Sequence, residues 1–154
     1  MDVAPREPRP PAKNFHRHRV VGGYNIAMSI PPEIHGRTYI SLASFRRNGA
    51  AVPTPIWFGE KDGKLYVMTR SDSGKYKRIR NNPHVRIAPC TVRGKITGPE
   101  FAAAARILPP EDWPWARKTI REKYWLARVP FPRSKTNIYL EIEIPQQAWA
   151  KRAG

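Results

Sequence analysis

The sequence predicts a mainly β protein, a small closed or split barrel of about six or seven strands with one short and one longer helix. Runs of alternating apolar and polar residues indicate the strands. Asn-Gly and Asp-Gly pairs between such runs are strong hairpin signals. Only two segments carry helical features. At 154 residues the chain is long enough for one domain with its own core.

The barrel domain is predicted to span residues 36–146. Residues 1–35 are predicted to form a flexible N-terminal tail and arm, and residues 147–154 a C-terminal tail. The first 14 residues are rich in proline and charged side chains and have no periodicity, which is typical of a flexible tail.

Tyr39–Phe45 alternates apolar and small polar residues, which predicts the first half-buried strand of the barrel. Asn48-Gly49 then predicts a hairpin turn into a return strand over Ala51–Phe58. Pro53 and Pro55 cannot donate ladder hydrogen bonds, so this strand must be at an edge, bulged or split. At this point a ligand platform that uses its freed carbonyls and an ordinary edge strand remain equal alternatives.

The same signals predict four further strands. Asp62-Gly63 forms a second hairpin turn. The strands are predicted over Leu65–Thr69, Val85–Val92, Lys95–Thr97 and Asn137–Ile144, the last with Glu141 and Glu143 outward. Phe101–Leu108 is ambiguous, because its run of alanines favours a helix whereas its position after a hairpin favours a strand.

The longer helix is predicted to begin at Pro109–Asp112 and to run to about Ala127. Acidic residues near its start and basic residues near its end suit the helix dipole. Its apolar residues fall on one face, which we interpret as core packing: Trp113, Ala116, Ile120 and Tyr124.

The short helix is predicted over Lys75–Asn81, with Ser and Asp residues before it as caps and Pro83 after it. The free N–H groups at its start and its dipole favour an anion. Lys75 and Arg78 are three residues apart, so they fall on one face and could bind the same phosphate. A capped surface helix with solvated charges remains the alternative, because no Walker spacing accompanies the Ser-Gly-Lys triplet.

The charge balance favours an anionic ligand. The 28 Lys and Arg residues against 12 Asp and Glu residues give a formal net charge of +16. Such a field attracts nucleic acid, an anionic membrane or a phosphorylated cofactor. The basic residues are spread along the chain and no nucleic-acid-binding motif is present, so a non-catalytic nucleic-acid module is the less favoured alternative.

Several other classes are excluded or disfavoured. No apolar run approaches the roughly 18 residues that span a bilayer, and the N-terminus lacks the apolar core of a signal peptide. The single cysteine, Cys90, is expected in buried packing and fits a cytoplasmic protein. The histidines lack partners at ligand spacing, so no metal site is expected. Because the sequence has no hydrolase or P-loop motif, we expect a bound cofactor to carry the chemistry if the protein is an enzyme.

Three segments together resemble one family. They are Phe45-Arg46-Arg47-Asn48-Gly49 leading to Thr54-Pro55-Ile56-Trp57-Phe58, then residues 65–83 with Ser73-Gly74-Lys75 and Arg78, and then residues 85–94. From about Thr38 to Ile144 the chain resembles the pyridoxamine-phosphate-oxidase-like split β-barrels of the FMN-binding type. Within them it is most similar to the flavin and deazaflavin (coenzyme F420-dependent) oxidoreductase branch.

The resemblance implies a function and a site. The protein would be a homodimeric oxidoreductase that transfers a hydride between coenzyme F420, or alternatively FMN, and a small organic substrate. The implied phosphate contacts are Thr69, Ser73, Gly74, Lys75 and Arg78, and the implied ring contacts are Pro55, Ile56 and Trp57. No catalytic acid or base is implied. The substrate is not named by the sequence, and Tyr24, Trp113 and Trp125 are loosely placed candidates for lining its pocket.

Overall fold

The fold is described from a computed structural model of residues 20–21, 24–25, 30–124 and 135–145. The strands are β1 Val20–Val21, β2 Tyr24–Asn25, β3 Tyr39–Phe45, β4 Ala51–Trp57, β5 Gly59–Lys61, β6 Lys64–Arg70, β7 His84–Pro89, β8 Phe101–Ile107 and β9 Asn137–Glu143. The helices are α1 Gly74–Asn81 and α2 Trp113–Tyr124. The two tails and residues 125–127 of the predicted longer helix lie outside the described residues.

Seven strands form one antiparallel sheet in the order β4-β3-β7-β8-β9-β6-β5. The two edge strands are β4 and β5, yet only Phe58 separates them in the chain. In a flat sheet these edges would lie about 29 Å apart, whereas the chain from Trp57 to Gly59 spans at most about 7 Å. The sheet must therefore curl until its edges almost meet, which confirms the mainly β, barrel-like prediction.

Tyr124 of α2 fixes the point where the two edges meet. Its hydroxyl accepts a hydrogen bond from the Phe58 backbone N–H at 3.1 Å and lies 3.0 Å from the Phe58 carbonyl oxygen and 2.7 Å from that of Thr38. Phe58 belongs to neither strand, so its buried backbone groups need such a partner. α2 therefore holds the curled sheet in its shape.

The prolines explain why β4 is an edge strand. Pro53 pairs with Ala43 of β3, and Pro55 pairs with Ser41. Residues two apart in a strand point their backbone groups the same way, so both proline nitrogens face the open side and the ladder to β3 is complete. The predicted edge strand is confirmed.

Both predicted hairpins are present, with turns of different length. Asp62 and Gly63 have φ of 53° and 78°, as a two-residue turn between β5 and β6 requires. Between β3 and β4 the turn is longer, because Arg46 pairs with Ala50 and Gly49 takes a φ of 89° between them. A glycine in this conformation closes a three-residue loop.

The core has two parts, one on each face of the sheet. The inner part is enclosed by the curl and includes Leu42, Val67, Leu140 and, from α1, Ile79. The outer part lies under α2 and includes Tyr66, Tyr139 and the predicted helix face. Ala116, Ile120 and Tyr124 of that face are buried and Trp113 is partly buried, which confirms it as core packing.

Three sequence predictions are resolved or corrected. Phe101–Ile107 is a strand, and its alanines alternate between buried and exposed, with α1 packed against it. The predicted strand Lys95–Thr97 is wrong, because Ile96 forms only an isolated bridge with Cys90. Glu141 faces outward with Glu143, as predicted, but it is only 9% exposed, because Tyr66, Arg106 and Lys64 surround its carboxylate.

Ile30 and Ile34, inside the predicted N-terminal arm, pack in the inner core. The Pro31 carbonyl accepts the backbone N–H groups of Ile34 and His35, which forms a tight turn ahead of β3. The predicted domain boundaries stay a prediction.

Candidate functional site

Helix α1 begins directly after β6, at the end of the curled sheet where β3 ends and β4 begins. Ser73 caps the helix: its hydroxyl accepts the Tyr76 backbone N–H at 3.1 Å and donates to the Arg70 carbonyl at 2.7 Å. A bidentate contact with Arg70 at 3.0 and 2.7 Å holds the pKa of the Asp72 carboxyl low and pairs its charge. The helix start therefore keeps its positive character.

Arg78 is held across this helix start. Its Nε donates to the Ser44 hydroxyl of β3 at 2.7 Å, and Ser44 is fully buried. A Cβ atom added at Gly74 would come within 2.7 Å of one guanidinium nitrogen of Arg78. Glycine at this position therefore lets the guanidinium lie close to the first turn. The side chain is positioned before any ligand binds.

A cleft opens between α1 and the β3–β4 turn, with a volume of about 810 Å³. We call it the basic cleft. Four cationic side chains and three amide side chains line it, with no acidic residue among the described ones: Phe45, Arg46, Arg47, Asn48, Gly74, Lys77, Arg78, Asn81 and Asn82. Burial and the nearby Arg46 both lower the pKa of Arg78. Such a set of like charges favours a bound anion.

Lys75 lies beside this cleft rather than on its wall. It is partly buried and makes no hydrogen bond or ion pair with any residue that the structure describes. Burial, followed by the charge of Arg78, lowers its pKa to about 8. Lys75 and Arg78 therefore share one region, as their spacing predicted, and Arg78 is the one that lines the cleft.

The predicted hydroxyl contacts are already used within the protein. Thr69 is 7% exposed, and its hydroxyl lies 3.3 Å from that of Ser73. Ser73 Oγ thus donates one hydrogen bond and has two groups within reach of its acceptor positions, which is its full capacity. Both hydroxyls hold the helix start in place. Their role as phosphate contacts stays a prediction.

The predicted ring contacts lie farther along β4. Val52 is opposite Ser44 on β3, and Pro55 is three residues beyond it, about 10 Å along the strand. Pro55 is exposed, whereas the Ile56 side chain is buried in the inner core and its backbone N–H and C=O face β3, as those of Val52 do. The role of Ile56 as a ring contact stays a prediction. The Trp57 ring is half-buried and stacks on Tyr124 with centroids 4.8 Å apart at an angle of 17°.

The sequence analysis did not assign Arg46, Arg47 or Lys77 to the site, nor the three asparagines. Arg46-Arg47-Asn48 lies in the predicted hairpin turn, and two adjacent arginines in a turn are a signal for an exposed anion contact. What the sequence could not indicate is that the turn lies against α1, which is 26 residues away between Asn48 and Gly74. The curl of the sheet creates that contact.

Three further features of the described part of the chain bear on its chemistry. It holds no group of three or more His, Cys, Asp or Glu side chains placed to bind a metal. Neither of its helices has the length and the apolar content that crossing a membrane requires. Cys90 is partly buried, which raises the pKa of its thiol and leaves a weak nucleophile.

Comparison with known families gives one match, to the model described as pyridoxamine 5′-phosphate oxidase, over residues 30–144. A search of curated proteins gave no significant match.

Solved structures share the fold at low sequence identity. An F420 reductase is 19% identical with a TM-score of 0.53, and the match covers 81% of this chain and 95% of that one. A candidate pyridoxamine 5′-phosphate oxidase from Listeria innocua is 18% identical with a TM-score of 0.53, over 71% and 85% of the two chains. The heme storage protein HutZ from Vibrio cholerae is 14% identical with a TM-score of 0.51, over 76% and 91%. These likenesses confirm the split β-barrel fold.

Proposed function

Because the chain belongs to the pyridoxamine 5′-phosphate oxidase family, we propose that it is an oxidoreductase whose basic cleft binds the phosphate of coenzyme F420. The hydride would pass between the coenzyme and a small organic substrate. The observation that carries the proposal is the basic cleft itself, with four cations, no described acidic residue on its wall, and the start of α1 beside it.

The residues present fit a phosphate. Arg78 is fixed by Ser44 and can give its remaining N–H donors to phosphate oxygens, and Arg46 adds a second cation. A bound phosphate would also give the Lys75 ammonium, which lies beside the cleft, an anionic partner that the described residues do not offer. A bound phosphate also offsets the repulsion between the crowded cations. Gly74 supplies the close backbone approach, and Thr69 and Ser73 fix the helix start that presents it.

The ring of the coenzyme is proposed to lie against the outer side of β4. Pro55 lies about 10 Å along β4 from Val52, which is opposite the Ser44 that holds Arg78. This length suits the ribityl chain between ring and phosphate. Pro55 offers an exposed apolar surface, the half-buried Trp57 ring adds to it, and Ile56 completes the predicted contacts.

The role of the chain in the reaction is positional. When bound, the coenzyme supplies the hydride chemistry. The side chains near Pro55 hold the substrate against the ring and exclude water from its reacting face, which brings two reactants into contact in a fixed orientation. Phosphate binding at the basic cleft fixes the other end, so that binding energy remote from the reaction contributes to alignment.

Coenzyme F420 is favoured over FMN by the Lys75–Arg78 segment, by the Pro-Ile-Trp strand and by the F420 reductase among the structural neighbours. FMN on the same fold is the alternative. We also expect a homodimer with the coenzyme groove at the subunit interface and a cytoplasmic location, both on the resemblance of the sequence.

Titration of the purified protein with coenzyme F420 and, separately, with FMN tests the proposal, followed by quenching of its five tryptophans. We expect micromolar binding of F420 and weaker binding of FMN. Riboflavin, which lacks the phosphate, is the matched control and should bind at least about tenfold more weakly than FMN. Equal affinity for riboflavin and FMN would contradict a phosphate site.

The net charge of +16 supports a second candidate, a non-catalytic module for nucleic acid. In that case the affinity for RNA or DNA would fall steeply with salt through counterion release. Binding of nucleic acid together with no binding of either cofactor would place this candidate first.

A further inference from the structure

Loop 90–97, which joins β7 to the segment ahead of β8, carries an unusual combination of side chains. Among the described residues, Val92 and Ile96 are the exposed large apolar side chains, at 60% and 47% exposure. Arg93 and Lys95 lie between them and are exposed as well. Neither forms an ion pair or a hydrogen bond through its side chain with a residue that the structure describes. The loop thus presents apolar surface and unpaired positive charge together.

The loop has a defined conformation. The Thr91 backbone N–H donates to the Lys95 carbonyl at 2.9 Å, and the Lys95 N–H donates to the Thr91 hydroxyl at 3.1 Å. Gly94 has a φ of 89°, which closes the turn. Exposed apolar side chains on such a closed loop remain exposed in the folded state, since the loop does not collapse over them.

The loop also lies against the proposed ring position. A Cβ atom at Gly94 would be 3.7 Å from the ring carbons of Pro55, an ordinary van der Waals distance. Loop 90–97 therefore forms one side of the outer surface of β4 at the very residue assigned to the coenzyme ring. A molecule stacked on that ring would contact the loop.

We propose that loop 90–97 is the substrate-binding lip of this protein and that it selects a small apolar substrate with an anionic group. Val92 and Ile96 contact the apolar part, and Arg93 and Lys95 attract the anionic group. The placement beside the ring depends on the proposed function, whereas the binding preference of the loop does not.

Two other occupants fit less well. A bilayer would need an apolar surface that projects from the molecule, whereas the turn of this loop is packed onto Pro55. A dimer centred on this loop, with the two-fold axis passing through it, would bring Arg93 and Lys95 close to their own copies, with like charges in contact. A small apolar molecule with an anionic group can contact the apolar side chains and pair with the charged ones at the same time.

The test uses 8-anilinonaphthalene-1-sulfonate, an apolar anion whose fluorescence rises on binding, with the full chain. We expect saturable binding that V92S and I96S each weaken about fivefold through lost apolar contact, and that R93Q weakens about threefold. The neutral analogue N-phenyl-1-naphthylamine should bind more weakly. R121Q, a matched loss of one exposed charge on α2, should leave the affinity for the probe unchanged.

Unchanged affinity in V92S and I96S, or an equal loss in R121Q, would overturn the proposal. It would also be overturned if V92S abolished co-sedimentation with phosphatidylglycerol vesicles but left probe binding intact. The cofactor titration separates the two proposals: R93Q should keep its affinity for F420. If no cofactor binds but the loop variants still weaken probe binding, the lip stands and the proposed function fails.

Discussion

Gly74 determines how closely the Arg78 guanidinium approaches the start of α1. A Cβ atom there would meet a guanidinium nitrogen at 2.7 Å, so G74A must push this flexible group away or break its bond to Ser44. We expect the affinity for F420 or FMN to fall about three- to tenfold. Helix propensity favours alanine, so the melting temperature should not fall. If fluorescence titration gave G74A the affinity of the wild type, cofactor binding would not depend on this position of the Arg78 guanidinium.

Tyr124 makes hydrogen bonds to backbone that no strand partner satisfies. Y124F removes the hydroxyl beside the Phe58 N–H and leaves a buried donor without its partner. We expect a loss of about 1–3 kcal/mol in the free energy of unfolding, measured with urea. Y76F is the control, because the Tyr76 hydroxyl makes no hydrogen bond to a described residue. Equal stability of the wild type and Y124F would contradict the role of this hydroxyl.

The position of a single residue could be predicted from the sequence where local spacing determines it. It could not be predicted where contacts between distant parts of the chain determine it. The three-residue spacing placed Lys75 and Arg78 together, which the structure confirms. It could not tell that Arg78 reaches Ser44, 34 residues earlier, and lines the cleft while Lys75 is partly buried. Glu141 shows the same limit: alternation placed it outward, but Tyr66 and Arg106, its partners on the two neighbouring strands and far away in the sequence, cover it.

At the scale of elements, the prolines of β4 protect an open sheet edge. Their nitrogens cannot donate to another strand, which blunts pairing between molecules. P53T would restore one outward N–H group, and we expect stronger concentration-dependent association by light scattering. V52T is the control, because the Val52 backbone faces β3. Identical scattering from P53T and V52T would contradict this role.

The strand and helix patterns were largely predictable, because period-two alternation and turn glycines are local signals. The prediction of a strand over Lys95–Thr97 failed, because the flanking glycines also suit a tight loop. Only one isolated bridge forms there. Phe101–Ile107 could not be decided from its alanines, whose helix propensity is overridden by pairing with β7 and β9. Where the local signals conflict, pairing with neighbouring strands determines the secondary structure.

At the scale of the whole molecule, buried lysines predict how stability depends on pH. Burial lowers the pKa of Lys75 and Lys123 to about 8, from 10.5 when unfolded. The unfolded state therefore binds more protons between these values, so the free energy of unfolding should rise from about pH 8 to pH 10. Burial raises the pKa of Tyr124 to about 12, so stability should fall again above pH 10.

K75M tests the lysine contribution. Urea unfolding at pH 7, 8, 9 and 10 should give a smaller rise than in the wild type, by about 1–2 kcal/mol, because Lys75 no longer loses a proton. K77M, at an exposed position on the same helix, should keep the full rise. An unchanged slope in K75M would show that Lys75 is solvated.

The number of short strands predicted a closed or split barrel, but the strand pairing that curls the sheet could not be predicted from local patterns. Nothing in the composition pairs β6 with β9, which begin 73 residues apart. That pairing and the single-residue link at Phe58 bring the β3–β4 turn onto α1. The basic cleft is thus a product of the whole fold. For this reason the arginines on the β3–β4 turn could not be assigned to the site from the sequence.

The most direct test of the account is the affinity of R78Q for F420, with FMN as the alternative ligand. The predicted result is a loss of about 10- to 100-fold against the wild type. The variant should stay folded at the assay temperature but melt at a lower temperature, because the buried Ser44 hydroxyl loses its partner. R121Q, which removes an exposed charge on α2, should bind as the wild type does. Wild-type affinity in R78Q, or the same loss in R121Q, would contradict a phosphate site in the basic cleft.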